Sequence, residues 1–98
     1  MELKDILEAI LFSSQKPLSA KELQDILKQA GESCESEARE LAQTKAKAIT
    51  VALEILAEEV ENLGRSSRLV CVAGAWQFVT QSEYAPWVRA LVGVKNRP

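Results

Sequence analysis

Arg68-Leu69-Val70-Cys71-Val72-Ala73-Gly74-Ala75-Trp76-Gln77-Phe78-Val79-Thr80 is the stretch on which the fold turns. Up to Gly64 the apolar residues recur at every third or fourth position. Here they alternate, and β-branched and aromatic residues gather on both sides of a glycine. Arg68 to Ala73 reads as a strand and Ala73-Gly74-Ala75 as a turn. Trp76 to Thr80 reads as a second strand, with Trp76, Phe78 and Thr80 on one face. The pair is a β-hairpin.

Everything before the hairpin is helical in pattern. Leu3, Ile6, Leu7, Ile10 and Leu11 place a helix over residues 2–14, and Phe12 widens its apolar stripe. Lys16-Pro17-Leu18 is extended, because a proline disfavours the helical state of the residue before it. Ser19-Ala20-Lys21-Glu22 fits a capping box that opens a second helix. That helix runs to about Ala30, with Leu23, Ile26 and Leu27 inward and Gly31 as its stop. Cys34 to Leu63 holds neither glycine nor proline. Ile49, Leu53, Leu56, Val60 and Leu63 fall within about 40° of one line, opposite Glu54, Glu58 and Glu61. Ala38, Ala42 and Ala46 extend that face upstream. Two readings fit: one long, continuous or slightly kinked helix from about 35 to 63, which the pattern favours, or a short helix and a break near Thr44-Lys47. Gly64 ends the segment.

Downstream, Thr80-Gln81-Ser82-Glu83 has the form of another capping box, opening a last helix to about Val92. Pro86 either kinks this helix or marks its true start. Three helices, a β-hairpin and a closing helix make an α+β, mostly helical chain of the winged-helix class, a variant of helix-turn-helix.

Ninety-eight residues allow one compact domain. With 47% hydrophobic and 27% charged residues, the composition is that of a folded chain rather than a disordered tail. The opening Met-Glu-Leu-Lys-Asp lacks the form of a signal peptide, and no apolar run reaches the roughly 18 residues needed to span a bilayer. Two cysteines, Cys34 and Cys71, are too few for a disulfide framework, which favours a cytoplasmic setting. Histidine is absent, so every histidine-dependent triad or metal set is excluded. No glycine-rich phosphate loop is present either. The chain reads as a non-enzyme without metal or cofactor.

The hairpin and its surroundings resemble a known family. Leu69-Val70-Cys71-Val72-Ala73-Gly74-Ala75-Trp76-Gln77-Phe78 with Glu83-Tyr84-Ala85-Pro86-Trp87-Val88-Arg89 is similar to segregation and condensation protein B (ScpB). The opening Leu3-Lys4-Asp5-Ile6-Leu7-Glu8-Ala9-Ile10-Leu11-Phe12 and Lys16-Pro17-Leu18-Ser19 resembles the same family. The resemblance covers most of the chain except roughly residues 32–46, where about a dozen residues are extra. It implies a non-enzymatic chromosome-segregation scaffold, nucleoid-associated, that forms a homodimer and binds a kleisin (ScpA-type) and, through it, an SMC ATPase. Family members carry two successive winged-helix domains, the first contributing to dimerisation. The expectation is that residues 1–98 form the first and that the second is absent from this chain.

Particular residues carry these expectations. Part of Leu3, Leu7, Ile10 and Leu11 is a candidate dimer face, since the stripe is wide enough for a core and a second subunit. Trp76, Phe78, Tyr84 and Trp87 either pack the last helix on the hairpin or mark a partner surface. Residues 1–63 hold seven basic and thirteen acidic side chains, whereas residues 64–98 hold five basic side chains and one acid. Arg65 and Arg68 are weak phosphate-contact candidates or ordinary loop charges. The rival function is a winged-helix DNA-binding transcriptional regulator, in which the third helix enters the major groove. Glu54, Glu58 and Glu61 oppose that role, because carboxylates repel phosphate. The same carboxylates read as a solvated helix face rather than an acid–base or metal site. Cys34 and Cys71 read as structural, with Cys71 small and half-buried in its strand.

Overall fold

The computed structural model describes residues 2–33 and 40–95. The order is α1 (Leu3–Ser13), β1 (Leu18–Ser19), α2 (Ala20–Ser33), α3 (Ala46–Asn62), β2 (Ser67–Val72), β3 (Ala75–Thr80), a 3-10 turn (Ser82–Tyr84) and α4 (Ala85–Lys95). This is the winged-helix arrangement, with the antiparallel sheet in the order β1-β3-β2.

α3 is the hub: it packs against α1, α2 and β2. Leu7, Leu11, Leu18, Leu23, Leu27, Ile49, Leu53, Leu56, Val60, Leu69 and Trp76 form one buried cluster drawn from α1, α2 and α3 and from all three strands. Burying each leucine or isoleucine is worth about 1.5–3 kcal/mol. Lys4 Nζ donates to Glu59 Oε1 at 2.6 Å and ties the start of α1 to the last turn of α3. That bond raises the Lys4 pKa.

Between α1 and α2 the chain is steered locally. Ser14 Oγ donates to the Lys16 carbonyl at 2.7 Å and so holds the turn. Leu18 and Ser19 then pair with Trp76 and Ala75, so the extended segment is the third strand of the sheet. The capping box at Ser19 is present in both directions. Glu22 N–H donates to Ser19 Oγ at 3.1 Å, and Ser19 N–H donates to Glu22 Oε1 at 3.0 Å. The second of these bonds holds the Glu22 carboxyl below its usual pKa.

Several expectations change. Gly31 does not stop α2, which continues to Ser33. The long helix over 35–63 is interrupted: residues 40–41 are helical, residues 42–45 are not, and α3 starts at Ala46. Gln24 Nε2 on α2 donates to the Thr44 carbonyl at 3.2 Å, so the break leaves that acceptor satisfied. Ala38 and Cys34 lie outside the described residues. Leu63 caps α3 instead of continuing its inner face and is 63% exposed. Gly64, at φ +65°, takes the left-handed conformation that turns the chain away.

At the other end the proposed capping box does not form. Gln81 occupies the N-cap of the 3-10 turn without a side-chain bond to it. The α-helix starts at Ala85, next to Pro86, in line with the second reading of that proline. Gln81 has a different task. Its N–H donates to the Ser66 carbonyl at 2.8 Å and its Nε2 to the Arg65 carbonyl. Both bonds close the base of the hairpin.

The hairpin tip has two residues, since Val72 pairs with Ala75. Ala73 (φ 53°) and Gly74 (φ 80°) are both left-handed, the type I′ geometry that suits a right-twisted hairpin. Cys71 is exposed, not half-buried. It faces the same way as its neighbour Trp76, but β2 is the edge strand, while β3 has β1 beside Trp76.

Candidate functional site

Among the described residues, two of the apolar surfaces that the core leaves open are built differently. The first is concave. Glu8, Ala9 and Phe12 on α1, Val60 and Leu63 at the end of α3, Arg65 and Ser67 in the following turn, and Phe78 on β3 line a groove of about 320 Å³. Its aromatic end is ordered by an edge-to-face contact between Phe12 and Phe78, with ring centroids 6.3 Å apart at 71°. Phe12 is 80% exposed. Glu8 and Arg65 supply the groove with one charge of each sign. The Gln81 bonds hold the Arg65-Ser66 backbone, and with it this rim.

The second surface is convex. Tyr84, Trp87 and Leu91 recur at steps of three and four and form a stripe along the 3-10 turn and α4. Trp87 is 70% exposed and Leu91 56%. Among the described residues, α4 packs substantially only on the 3-10 turn that leads into it.

The residues expected as a dimer or partner surface therefore divide. Leu7 and Leu11 are core residues with almost no exposure, and Trp76 is buried with them. Their contact capacity is spent inside this chain. Leu3 and Ile10 are half-buried against the same cluster. Phe78 joins the groove; Trp87 is mostly exposed on the stripe, whereas Tyr84 is only 37% exposed and so is largely covered. Phe12, Leu63 and Leu91 were not singled out as surface residues. Phe12 lies at the edge of a wide stripe, and Leu63 and Leu91 share the periodicity of buried leucines, so pattern alone does not expose them.

The phosphate candidates also separate. Arg65 rims the groove. Arg68 lies 3.8 Å from Glu61, an exposed pair that offsets its charge. α3, the helix that would enter a DNA groove, has Lys45 before it and Lys47 in its first turn. Its exposed residues beyond that are Val51, Glu54, Ile55, Glu58, Glu59, Glu61 and, at its end, Asn62. Apolar and acidic groups on that face oppose phosphate contact.

Among the described residues, no group of three or more acidic, cysteine or histidine side chains is placed to hold a metal ion. Among them too, no helix is long and apolar enough to cross a membrane. The arrangement offers surfaces for protein contact.

Comparison with known proteins gives a consistent result. The family described as segregation and condensation complex subunit ScpB matches residues 5–98. Segregation and condensation protein B of Clostridioides difficile (strain 630) is 25% identical over 96 residues, which is 98% of this chain and 46% of that protein. The crystal structure of ScpB from Mycobacterium tuberculosis is similar at a TM-score of 0.68 and 25% identity, over 99% of this chain and 51% of that one. A crystal structure of a dimer of the ScpB N-terminal domain complexed with a ScpA peptide is similar in fold, with a TM-score of 0.63 at 22% identity over 95% of this chain and 94% of that one. The chain thus spans about half the length of the curated relative it matches.

Proposed function

This chain belongs to the segregation and condensation complex subunit ScpB family, and from that premise we propose that it is a non-enzymatic scaffold of chromosome segregation and condensation. It forms a homodimer and binds a kleisin of the ScpA type. Through that kleisin it acts on an SMC ATPase at the nucleoid, in the cytoplasm. Direct DNA contact is weak or absent.

The observation that carries the reading is the stripe of Tyr84, Trp87 and Leu91, exposed on a helix that packs chiefly on the turn before it. Exposed aromatic side chains at helical spacing are the groups that dominate protein–protein affinity. The likeness in fold to an ScpB N-terminal domain solved as a dimer with a ScpA peptide supports the choice of partners. The outward carboxylates of α3 speak against the DNA-binding regulator.

Light scattering on the chain alone, then on the chain mixed with the ScpA-type kleisin of its own organism, tests the reading. A dimer that takes up kleisin saturably is the expected result. A strict monomer that takes up none overturns it.

A further inference from the structure

Two of the open apolar surfaces of this chain differ in kind. One is a groove floored by Phe12, Val60, Leu63 and Phe78; the other is a ridge carrying Trp87 and Leu91. We propose that the homodimer forms by reciprocal docking, with α4 of each copy lying in the Phe12-Leu63-Phe78 groove of the other. This rests on the homodimer reading above and adds which surfaces meet.

Four observations point to a second copy as the occupant. First, α4 is an 11-residue helix supported in its own chain mainly by the short turn before it. Isolated helices of fewer than about 12–15 residues are marginal in water, and packing an apolar face supplies the missing stability. Second, both surfaces sit on the same chain, so one two-fold contact covers all of them at once and leaves no open end. Third, charge allows the contact: α4 carries Arg89 and no acid, and the groove holds Glu8 to meet a cation, with Arg65 also at its rim. Fourth, the area is adequate. Two copies each of Phe12, Leu63, Trp87 and Leu91 bring on the order of 1,000 Å² before any polar rim is counted, close to the lower limit of a stable specific interface.

The arrangement predicts complementation between two variants. Trp87→Asp destroys the ridge and keeps the groove. Phe12→Asp destroys the groove and keeps the ridge. Both side chains are mostly exposed in the single chain, so both variants fold, which circular dichroism checks.

The experiment is sedimentation or light scattering over a concentration series, on the wild-type chain, on each variant and on their equimolar mixture. Each variant alone is expected to weaken the dimer at least about tenfold. The mixture is expected to associate more tightly than either variant by itself, because a mixed pair keeps one complete ridge–groove contact. A wild-type dimer that neither variant weakens overturns the docking and leaves the homodimer standing. So does a mixture no tighter than its parts. Loss of kleisin uptake in Trp87→Asp with the dimer intact also overturns it and assigns the ridge to the kleisin. A wild-type chain that stays monomeric at every concentration overturns the homodimer reading and the docking together.

Discussion

Trp76 and Trp87 are the same residue in opposite surroundings. Trp76 is 9% exposed, wedged between β1 and β2 at the top of the core; Trp87 is 70% exposed on a helix that the core does not reach. The body built by α1, α2, α3 and the sheet meets its own needs: its inner leucines are fully covered and no buried side-chain polar atom lacks a partner among the described residues. The C-terminal helix meets few of its needs. The difference teaches that the apolar residues of one small chain divide, with the inner ones of the body setting stability and those of α4 left open for the association proposed above.

Core truncation gives the sharpest test of that division. Leu53→Ala removes a side chain with no exposure from the centre of α3 and is expected to cost about 2–5 kcal/mol. Trp87→Ala on the dilute chain is expected to stay within about 0.5 kcal/mol of wild type, as exposed substitutions do. Urea unfolding of both decides. If the two costs are equal, α4 belongs to the body and the contrast fails.

The two helix starts give a smaller difference. Ser19→Ala removes the oxygen that accepts from Glu22 N–H and is expected to cost about 1 kcal/mol. Ser82→Ala is expected to change stability by less than about 0.5 kcal/mol, since no side chain caps that turn.

At the wing tip the expected change is a gain. Ala73 holds φ 53° against its Cβ. Ala73→Asn fits the left-handed position of a type I′ turn and is expected to add about 0.5–1 kcal/mol in the same unfolding assay.

The smallest effect is on pH dependence. Glu22 has its pKa lowered in the folded chain, first by the Ser19 backbone N–H. Its contribution is therefore present above the unfolded carboxylate range and is lost as pH falls through the folded value. Glu22→Gln is expected to flatten the acid side of a stability–pH curve by that one group. An unchanged acid limb refutes the assignment.

What the chain's pattern disclosed was local or periodic. The Ser19 capping box needs only four residues, and the inner faces of α1 and α3 need only a helical repeat. The hairpin showed itself by the change of period after Gly64. What stayed hidden was set by contacts far along the chain. The break at residues 42–45 matches the second of the two readings of this segment, near Thr44-Lys47, but no glycine or proline decides between them; Gln24, on another helix, satisfies its carbonyl. Gly31 stays helical, although glycine is a frequent stop. Leu18 and Ser19 became a strand because Trp76 and Ala75 came to meet them. Of the candidate surface, Trp87 stands in the open, whereas Leu7, Leu11 and Trp76 went into the core. Residue type does not separate these cases; only the neighbours do.

The pairing of β1 with β3 also orders events in time. Leu18 leaves the ribosome early, yet its strand partner Trp76 is made only after the first three helices. At about 5–20 residues per second, the first three helices spend seconds without the sheet that completes their core. During that interval α1 and α2 have only helical contacts to hold them, and Leu18 is left without its cross-strand cover. The cooperative unit closes when the hairpin arrives, and α4 follows it along the chain. The strand that completes the core is thus made before the helix that carries the exposed stripe.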